Sequence, residues 1–193
     1  MSSPSALIRC FLALYPDDAA RGAFGEYVTK LRRLNPTVRW EKEPHIHITL
    51  KFIGDIERSA AQRVAAHIKA RLSGAKAIDA VVSVVGAFPN MRHPRVIWLG
   101  FRESVPELVA MQRAIDDMAY LEGVSRDRTP FSPHFTIGRV KEYSRIRHLY
   151  SDIEANPFEP VPVTFTSMRV MESTLTPAGA IHTELGRLDL PHA

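Results

Sequence analysis

Residues 44–54 read Pro-His-Ile-His-Ile-Thr-Leu-Lys-Phe-Ile-Gly, and the rest of the chain is interpreted from this segment. Apolar and polar residues alternate strictly within it, which predicts a half-buried β-strand bounded by the proline and the glycine. Successive side chains of a strand point to opposite faces. The pattern therefore gives the strand two different faces, an apolar face of Ile46, Ile48, Leu50 and Phe52 and a polar face of His45, His47, Thr49 and Lys51.

The same pattern returns 87 residues further along the chain, counted from His47 to His134, where residues 133–139 read Pro-His-Phe-Thr-Ile-Gly-Arg. His134 and Thr136 share one face of this second predicted strand, while the two apolar residues of the motif take the other. One copy of His-apolar-Thr-apolar is equally well explained as a surface strand with a solvated histidine. Two copies predict a pair of strands that present the same side chains to one cleft.

Predicted strands and helices alternate around the two motifs in two similar runs. Alternation or valine-rich composition predicts further strands at residues 7–15, 78–85, 95–101, 163–172 and 181–188. Helical spacing of apolar residues predicts helices at residues 17–34, 61–72, 104–123 and 145–153. No low-complexity stretch or linker divides the two runs, so we expect residues 1–193 to form a single domain of two lobes that share the cleft.

The composition is that of an ordinary globular protein, with 45% hydrophobic and 24% charged residues among 193. No apolar run approaches the length that crosses a bilayer, and the first residues lack the basic and apolar segments of a secretory signal. We therefore expect no membrane segment and a cytoplasmic location. The one cysteine, Cys10, excludes an internal disulfide and a cysteine-based zinc site. The formal charge of +4 would attract a polyanion, although arginines scattered over helix surfaces give the same sum.

Two histidines and two threonines facing one cleft suit chemistry at phosphorus. Imidazole has an ordinary pKa of about 6.5, so near neutral pH one histidine can accept a proton while the other donates one. Threonine hydroxyls can donate hydrogen bonds to phosphate oxygens. No carboxylate cluster, His-Glu-x-x-His helix, phosphate-binding glycine loop or serine-nucleophile elbow is present. The sequence thus predicts in-line displacement at phosphorus with no metal and no cofactor.

The chain resembles the RNA 2′,3′-cyclic phosphodiesterases, also called 2′-5′ RNA ligases, of the two-histidine phosphoesterase superfamily. The likeness lies in residues 9–13, 47–54, 88–98, 131–139 and 171–180. It implies an α+β fold of two pseudosymmetric lobes around a central cleft, each lobe an antiparallel sheet with helices packed outside. It also implies hydrolysis of RNA 2′,3′-cyclic phosphodiester ends, or of nucleotides with such ends, to 2′-phosphomonoesters. We expect the enzyme to be a monomer.

The resemblance further implies a role for each motif residue. His134 would act as general base on the attacking water, and His47 as general acid on the departing 3′-oxygen. Thr49 and Thr136 would bind the phosphate oxygens. The residues by themselves leave the acid and base unassigned, because the two motifs are equivalent.

Two further substrate-binding candidates conflict with the alternation of strand faces. Arg139 and Phe52 each lie five residues after a motif histidine, and an odd offset places a side chain on the opposite face. Gly138 permits a bulge that would bring Arg139 round to the phosphate, the alternative being a surface salt bridge. Phe52 is more simply a core residue, with stacking on a nucleobase as the alternative.

Other residues near the motifs receive weaker predictions. Phe11, Arg9 and Arg95 are minor candidates for the cleft. His45 has no counterpart in the motif and is expected to be solvated. His182 stands where the family more often has an aromatic residue, and it is assigned no catalytic role.

Other functions use the same residues. The cleft would equally serve reversible 2′-5′ ligation of RNA or hydrolysis of a small cyclic nucleotide. A non-catalytic RNA-binding module would merely hold phosphate there. A histidine-ligated metal hydrolase is the least favoured reading, because carboxylate and thiol ligands are missing from the motifs.

Overall fold

The computed structural model of the chain describes residues 7–141, 146, 148–177 and 179–192. The strands are β1 (Leu7–Leu14), β2 (Arg39–Trp40), β3 (Ile48–Glu57), β4 (Ile78–Phe88), β5 (Val96–Phe101), β6 (His134–Arg139), β7 (Val161–Phe165), β8 (Ser167–Thr176) and β9 (Gly179–Asp189). The helices are α1 (Asp18–Leu34), α2 (Arg58–Arg71), α3 (Pro106–Leu121) and α4 (Leu149–Ala155). The helix predicted at 145–153 is α4, and its predicted residues 145 and 147 lie outside the described part of the chain. Within that part, no helix is both long and apolar enough to cross a bilayer.

All nine strands belong to one antiparallel sheet, which confirms the predicted α+β class. Its order is β7-β4-β5-β6-β3-β1-β8-β9, and the short β2 pairs with β6. We call β3, β1, β8 and β9 the first half of the sheet, and β6, β5, β4 and β7 the second half. The motif strands β3 and β6 are the inner strands of the two halves, and the register pair Ile48↔Phe135 joins them.

The helices cover one face of the sheet and form the main core there. Helix α1 shows how the sequence builds this face: the carboxylate of Asp17 accepts a hydrogen bond from the backbone N–H of Ala20 at 2.9 Å and caps the helix. Phe24 is fully buried and packs 4.9 Å from Phe135, ring centre to ring centre. The opposite face, which we call the open face, carries a separate buried cluster of Phe11, Ala13, Tyr15 and Met171.

The first motif strand differs from its prediction at its start. Residues Glu43–His45 form a 3₁₀ turn with Pro44 in its first turn, so β3 begins at Ile48 instead of Pro44. It then continues beyond Gly54 to Glu57. The alternating pattern therefore begins before the strand does, because residues 44–47 follow the pattern but precede β3.

A bulge in β3 overturns the predicted faces after Leu50. In the ladder with β1, Lys51 pairs with Leu12 and Thr49 pairs with Ala13, so Leu50 is the extra residue. Two consecutive side chains, Leu50 and Lys51, are therefore buried, each 1% exposed. The next side chain, Phe52, turns to the open face and is 63% exposed. The sequence predictions of a groove-facing Lys51 and a core Phe52 were both wrong, because the bulge reverses the alternation.

Candidate active site

The two motifs lie side by side on the open face. Ile48 and Phe135, which pair directly, are 1% and 0% exposed because they face the helices. Their neighbours in the chain must point the other way. In an antiparallel ladder the residues flanking a pair also face one another. The register thus sets His47 opposite Thr136 and Thr49 opposite His134, with all four side chains towards the open face.

Both motif histidines are oriented by the same local contact. The Nδ1 of His47 lies 2.7 Å from the carbonyl oxygen of His45, and the Nδ1 of His134 lies 2.8 Å from the carbonyl oxygen of Ser132. A carbonyl oxygen only accepts hydrogen bonds, so each Nδ1 carries the hydrogen and donates it. Each Nε2 is then the nitrogen available to accept or donate a proton in catalysis. In both motifs the acceptor stands two residues before the histidine.

Aromatic rings of the first half enclose His47. Phe11 stacks on it with ring centres 5.1 Å apart, Tyr15 lies at 5.3 Å, and His182 meets it edge-on at 5.6 Å. This burial lowers the pKa of His47 to about 4, against the opposing effect of its hydrogen bond to the His45 carbonyl. Positive charge on His182, His45 and Arg139 lowers it further. His47 is therefore neutral near pH 7 when the cleft holds no anion.

The rings around His134 come from the second half. The edge of Phe88 meets the His134 ring at 4.9 Å, and Trp98 lies at 6.4 Å. Trp98 lies directly against Gly86, where any Cβ would come within 2.1 Å of the indole ring. Burial lowers the pKa of His134, its hydrogen bond to the Ser132 carbonyl opposes the shift, and Arg139 adds to it.

Arg139 follows a bulge of the kind that Gly138 was predicted to permit. In the ladder between β5 and β6, Ile97 pairs with Gly138 and Trp98 with Thr136, so Ile137 is the extra residue. The guanidinium lies 3.5 Å from a carboxylate oxygen of Glu41 and remains 54% exposed. Its charge lowers the pKa of both His47 and His134, which places it within electrostatic reach of both rings. The structure thus shows both the bulge and the salt bridge that the sequence offered as alternatives.

Phe52 lies beside the same site. Its ring centre is 6.3 Å from that of Phe11, whose ring stacks on His47. With 63% of its surface exposed, Phe52 leaves a flat apolar surface free at the edge of the cleft. A role in stacking on a base stays a prediction.

His182 and His45 are the residues that the sequence analysis missed. The ring of His182, on β9, lies 4.9 Å from Phe11 and 5.3 Å from His45, so His45 is not simply solvated. The Nδ1 of His182 is buried and has no hydrogen-bond partner within the described residues. The available signal was the aromatic residue that the family more often has at this position. His182 reaches the cleft because β9 pairs with β8 and β8 pairs with β1.

Lys51 connects β3 to the loop that precedes the second motif. Its side chain is completely buried, and its ammonium group donates hydrogen bonds to Asp116 on α3, to the Ser125 carbonyl and to Asp127. The two contacts with the loop are each 2.8 Å long. Three acceptors match the three N–H groups of the ammonium, so the buried charge is fully paired. Lys51 is thus a link between the halves and not a phosphate ligand in the cleft.

The described residues contain no group of three or more histidine, cysteine or carboxylate side chains arranged to hold a metal ion. The cleft offers instead two imidazole Nε2 atoms, two threonine hydroxyls and a guanidinium. Such a set can donate hydrogen bonds to a tetrahedral anion and transfer protons on either side of it.

Comparisons with known proteins agree with this chemistry. A family model for the 2′-5′ RNA ligase superfamily matches residues 16–176. The RNA 2′,3′-cyclic phosphodiesterase of Thermotoga maritima is 30% identical over 176 residues, 91% of each chain. The enzyme of the same name from Methanothermobacter thermautotrophicus is 30% identical over 92% of this chain and 96% of its own. Among solved structures, E. coli LigT in its apo form superposes with a TM-score of 0.73 at 20% identity, covering 97% of this chain and 100% of LigT, which supports the fold.

Proposed function

The chain belongs to the 2′-5′ RNA ligase superfamily, and we propose that it hydrolyses RNA 2′,3′-cyclic phosphate ends to 2′-phosphomonoesters. The observation that carries the proposal is the register pair Ile48↔Phe135, because it sets the two His-x-Thr motifs against each other on one face. The names of the two relatives supply the substrate class. The reaction needs no metal, since the residues of the cleft provide every proton transfer.

The proposed mechanism uses the two Nε2 atoms in opposite senses. The neutral His134 accepts a proton from water as the water oxygen bonds to phosphorus. The bond between phosphorus and the 3′-oxygen breaks, and protonated His47 donates its Nε2 proton to that oxygen. The product carries a free 3′-hydroxyl and a 2′-phosphate. The family resemblance supplies the direction of this assignment, and each proton transfer contributes about 10²- to 10⁴-fold in rate.

His47 must gain a proton before it can act as the acid, because its lowered pKa leaves it neutral near pH 7. Because burial lowers its pKa to about 4, the protonated form is a stronger acid than an ordinary imidazolium. A bound phosphodiester carries a negative charge, which favours the protonated histidine and raises its pKa. Substrate binding would therefore be coupled to the uptake of one proton.

The phosphate ligands complete the proposed site. The hydroxyls of Thr49 and Thr136 lie diagonally across the ladder, so they would hold oxygens on two sides of the phosphorus. Arg139 would bind a third oxygen through its exposed guanidinium, in exchange for its 3.5 Å contact with Glu41. Phe52 would stack on the terminal base.

We also propose that residues 1–193 act as a single two-lobed domain and as a monomer, in the cytoplasm. One continuous sheet runs through both halves, and each half supplies one motif, which supports the single domain.

A product analysis tests the function. The purified chain is incubated with an oligoribonucleotide that ends in a 2′,3′-cyclic phosphate, with and without EDTA, and the product is examined by mass spectrometry and by chromatography against 2′-phosphate and 3′-phosphate standards. We expect a mass gain of one water, a phosphate on the 2′-oxygen, and equal rates in both conditions. Binding without product would instead identify an RNA-binding module, and loss of activity in EDTA would contradict the metal-independent mechanism.

A further inference from the structure

A second concave feature lies at the edge of the second half, beside the proposed site. It is a pocket of about 520 Å³ lined by His93, Pro94, Arg95, Val140 and Lys141. We call it the basic pocket. Three of its five lining residues are basic and none is acidic. Its volume exceeds what a single phosphate group requires and lies in the range of small-ligand sites.

Two of the three basic side chains of the pocket have no described carboxylate to neutralise them. Arg95 and Lys141 are both exposed, and neither forms an ion pair with any of the residues that the structure describes. Arg139, two residues before Lys141, differs because Glu41 lies 3.5 Å from it. Unpaired cations that converge on a concavity attract an anion more strongly than the same charges spread over a flat surface.

Backbone hydrogen bonds fix this pocket relative to the catalytic groups. The N–H of Arg95 donates to the carbonyl of Phe88 at 2.7 Å, and the ring of Phe88 meets His134. The carbonyl of Arg95 accepts from the N–H of Val140 at 2.9 Å, immediately after Arg139. The basic pocket is therefore adjacent to the proposed phosphate site, because Val140 lines the pocket and follows Arg139 directly in the chain.

We propose that the basic pocket binds a backbone phosphate of the RNA upstream of the cyclic end. This inference rests on the proposed function and extends it, because it makes a polynucleotide, and not a free cyclic nucleotide, the preferred substrate. Arg95 and Lys141 form charge-assisted hydrogen bonds with the non-bridging oxygens of an intact phosphodiester. No covalent step takes place there.

The lining chemistry favours a phosphate over a nucleobase. The pocket is lined by no phenylalanine, tyrosine or tryptophan, and Pro94 and Val140 are its only apolar residues. Its two planar side chains, His93 and Arg95, carry N–H groups, and Arg95 and Lys141 supply the positive charge that a phosphate requires. Contact with the backbone also predicts affinity that depends little on base sequence.

The test compares two substrates in three proteins. The substrates are adenosine 2′,3′-cyclic phosphate and a trinucleotide with the same cyclic end, and the measured quantity is the ratio of their kcat/KM values. The proteins are the wild type, the double variant Arg95→Gln/Lys141→Gln, and the control Arg63→Gln/Lys69→Gln. The control removes the same charge from exposed positions on α2.

We expect the wild type to favour the trinucleotide. The Arg95/Lys141 variant should lose about tenfold in the ratio, mainly through a higher KM for the trinucleotide, while the control keeps the wild-type ratio. A trinucleotide with neutral methylphosphonate links upstream should show the same loss in the wild type.

The failures of the two proposals are distinguishable. If the wild type turns over neither substrate, the proposed function is wrong and the inference falls with it. If it turns over both with equal kcat/KM, or if the Arg95/Lys141 variant keeps the wild-type ratio, the basic pocket does not bind substrate although the proposed function stands.

Discussion

His47 and His134 have the same local geometry and different surroundings. Each ring donates its Nδ1 hydrogen to the carbonyl two residues earlier, at 2.7 and 2.8 Å. The first half nevertheless encloses His47 with Phe11, Tyr15 and a further imidazole, whereas the second half places Phe88 edge-on and leaves His134 more accessible. The motif therefore sets the orientation and tautomer of a histidine, and the rest of the sheet sets its pKa.

This difference matters because acid and base need opposite protonation states. Two identical histidines in identical surroundings would have the same intrinsic pKa, so their surroundings would favour neither one as the acid. Here the first half places three rings within 5.6 Å of His47, whereas the second half places Phe88 at 4.9 Å and Trp98 at 6.4 Å from His134. The asymmetry of the site thus comes from residues outside the repeated motif.

The largest effect should come from removing either imidazole. We expect His47→Ala and His134→Ala each to reduce kcat by about 10²- to 10⁴-fold, because each deletes one proton transfer. The control is His67→Ala, which changes a half-exposed histidine on α2 that contacts Glu122. Single-turnover rates with the cyclic-ended oligonucleotide measure the loss, and near-normal hydrolysis by either variant would refute the assignment.

The next largest effect should be on stability. Lys51→Met leaves the partners of a completely buried cation uncompensated, Asp116 and Asp127 among them. We expect the free energy of unfolding to fall by about 3 kcal/mol, as for other buried pairs that lose one member. Denaturant unfolding measures it, with Lys69→Met on the exposed side of α2 as the matched control. Equal stability of the two variants would show that the Lys51 link contributes nothing to holding the loop before His134.

A smaller change should follow from Arg139→Gln. A nearby cation disfavours protonated imidazole, so removing it should raise the pKa of both His47 and His134 and move their titrations to higher pH. We also expect kcat/KM to fall about tenfold from the lost phosphate contact. NMR titration of the histidine C–H signals and the pH profile of kcat/KM give the two readouts. Arg63→Gln on α2 should change neither, and unshifted titrations in the Arg139 variant would place its charge outside the site.

The smallest effect, and the most selective, should come from His182→Phe. Phenylalanine keeps the enclosing ring but removes the charge that lowers the pKa of His47. The pKa of His47 should therefore rise, while that of His134, which is set by burial, the Ser132 carbonyl and Arg139, should stay the same. The same NMR titration separates the two signals. If the pKa values of both histidines shifted equally, His182 would not act on His47 alone, and the proposed difference between the two halves would be wrong.

The sequence predicted what local alternation determines and failed where distant pairing intervenes. His47, Thr49, His134 and Thr136 share the open face as expected, because the motif is short and regular. Lys51 and Phe52 exchanged sides because the bulge in β3 depends on how β1 pairs with it, which alternation within β3 does not encode.

The bulge before Arg139 was predicted because a glycine marks it in the sequence. His182 shows the opposite limit. Its position beside His47 depends on two successive strand pairings, from β9 through β8 to β1, and no local pattern in the sequence reports them. Residues that complete a site across a sheet are therefore the hardest to find from a motif.

The order of strands in the sheet has a consequence for synthesis of the protein. Strands β4 to β7 follow one another in the chain, so the second half can pair completely as soon as residue 165 has left the ribosome. The first half must wait for β8 and β9, and until then β1 has an unpaired edge that is open to pairing with other chains. The residues that surround His134 can thus be in place early in synthesis. Those around His47 are complete only when β9, which carries His182, has been made. Premature termination before β8 would yield a chain that carries both motifs, lacks the ring of His182 beside the acid, and is prone to aggregate.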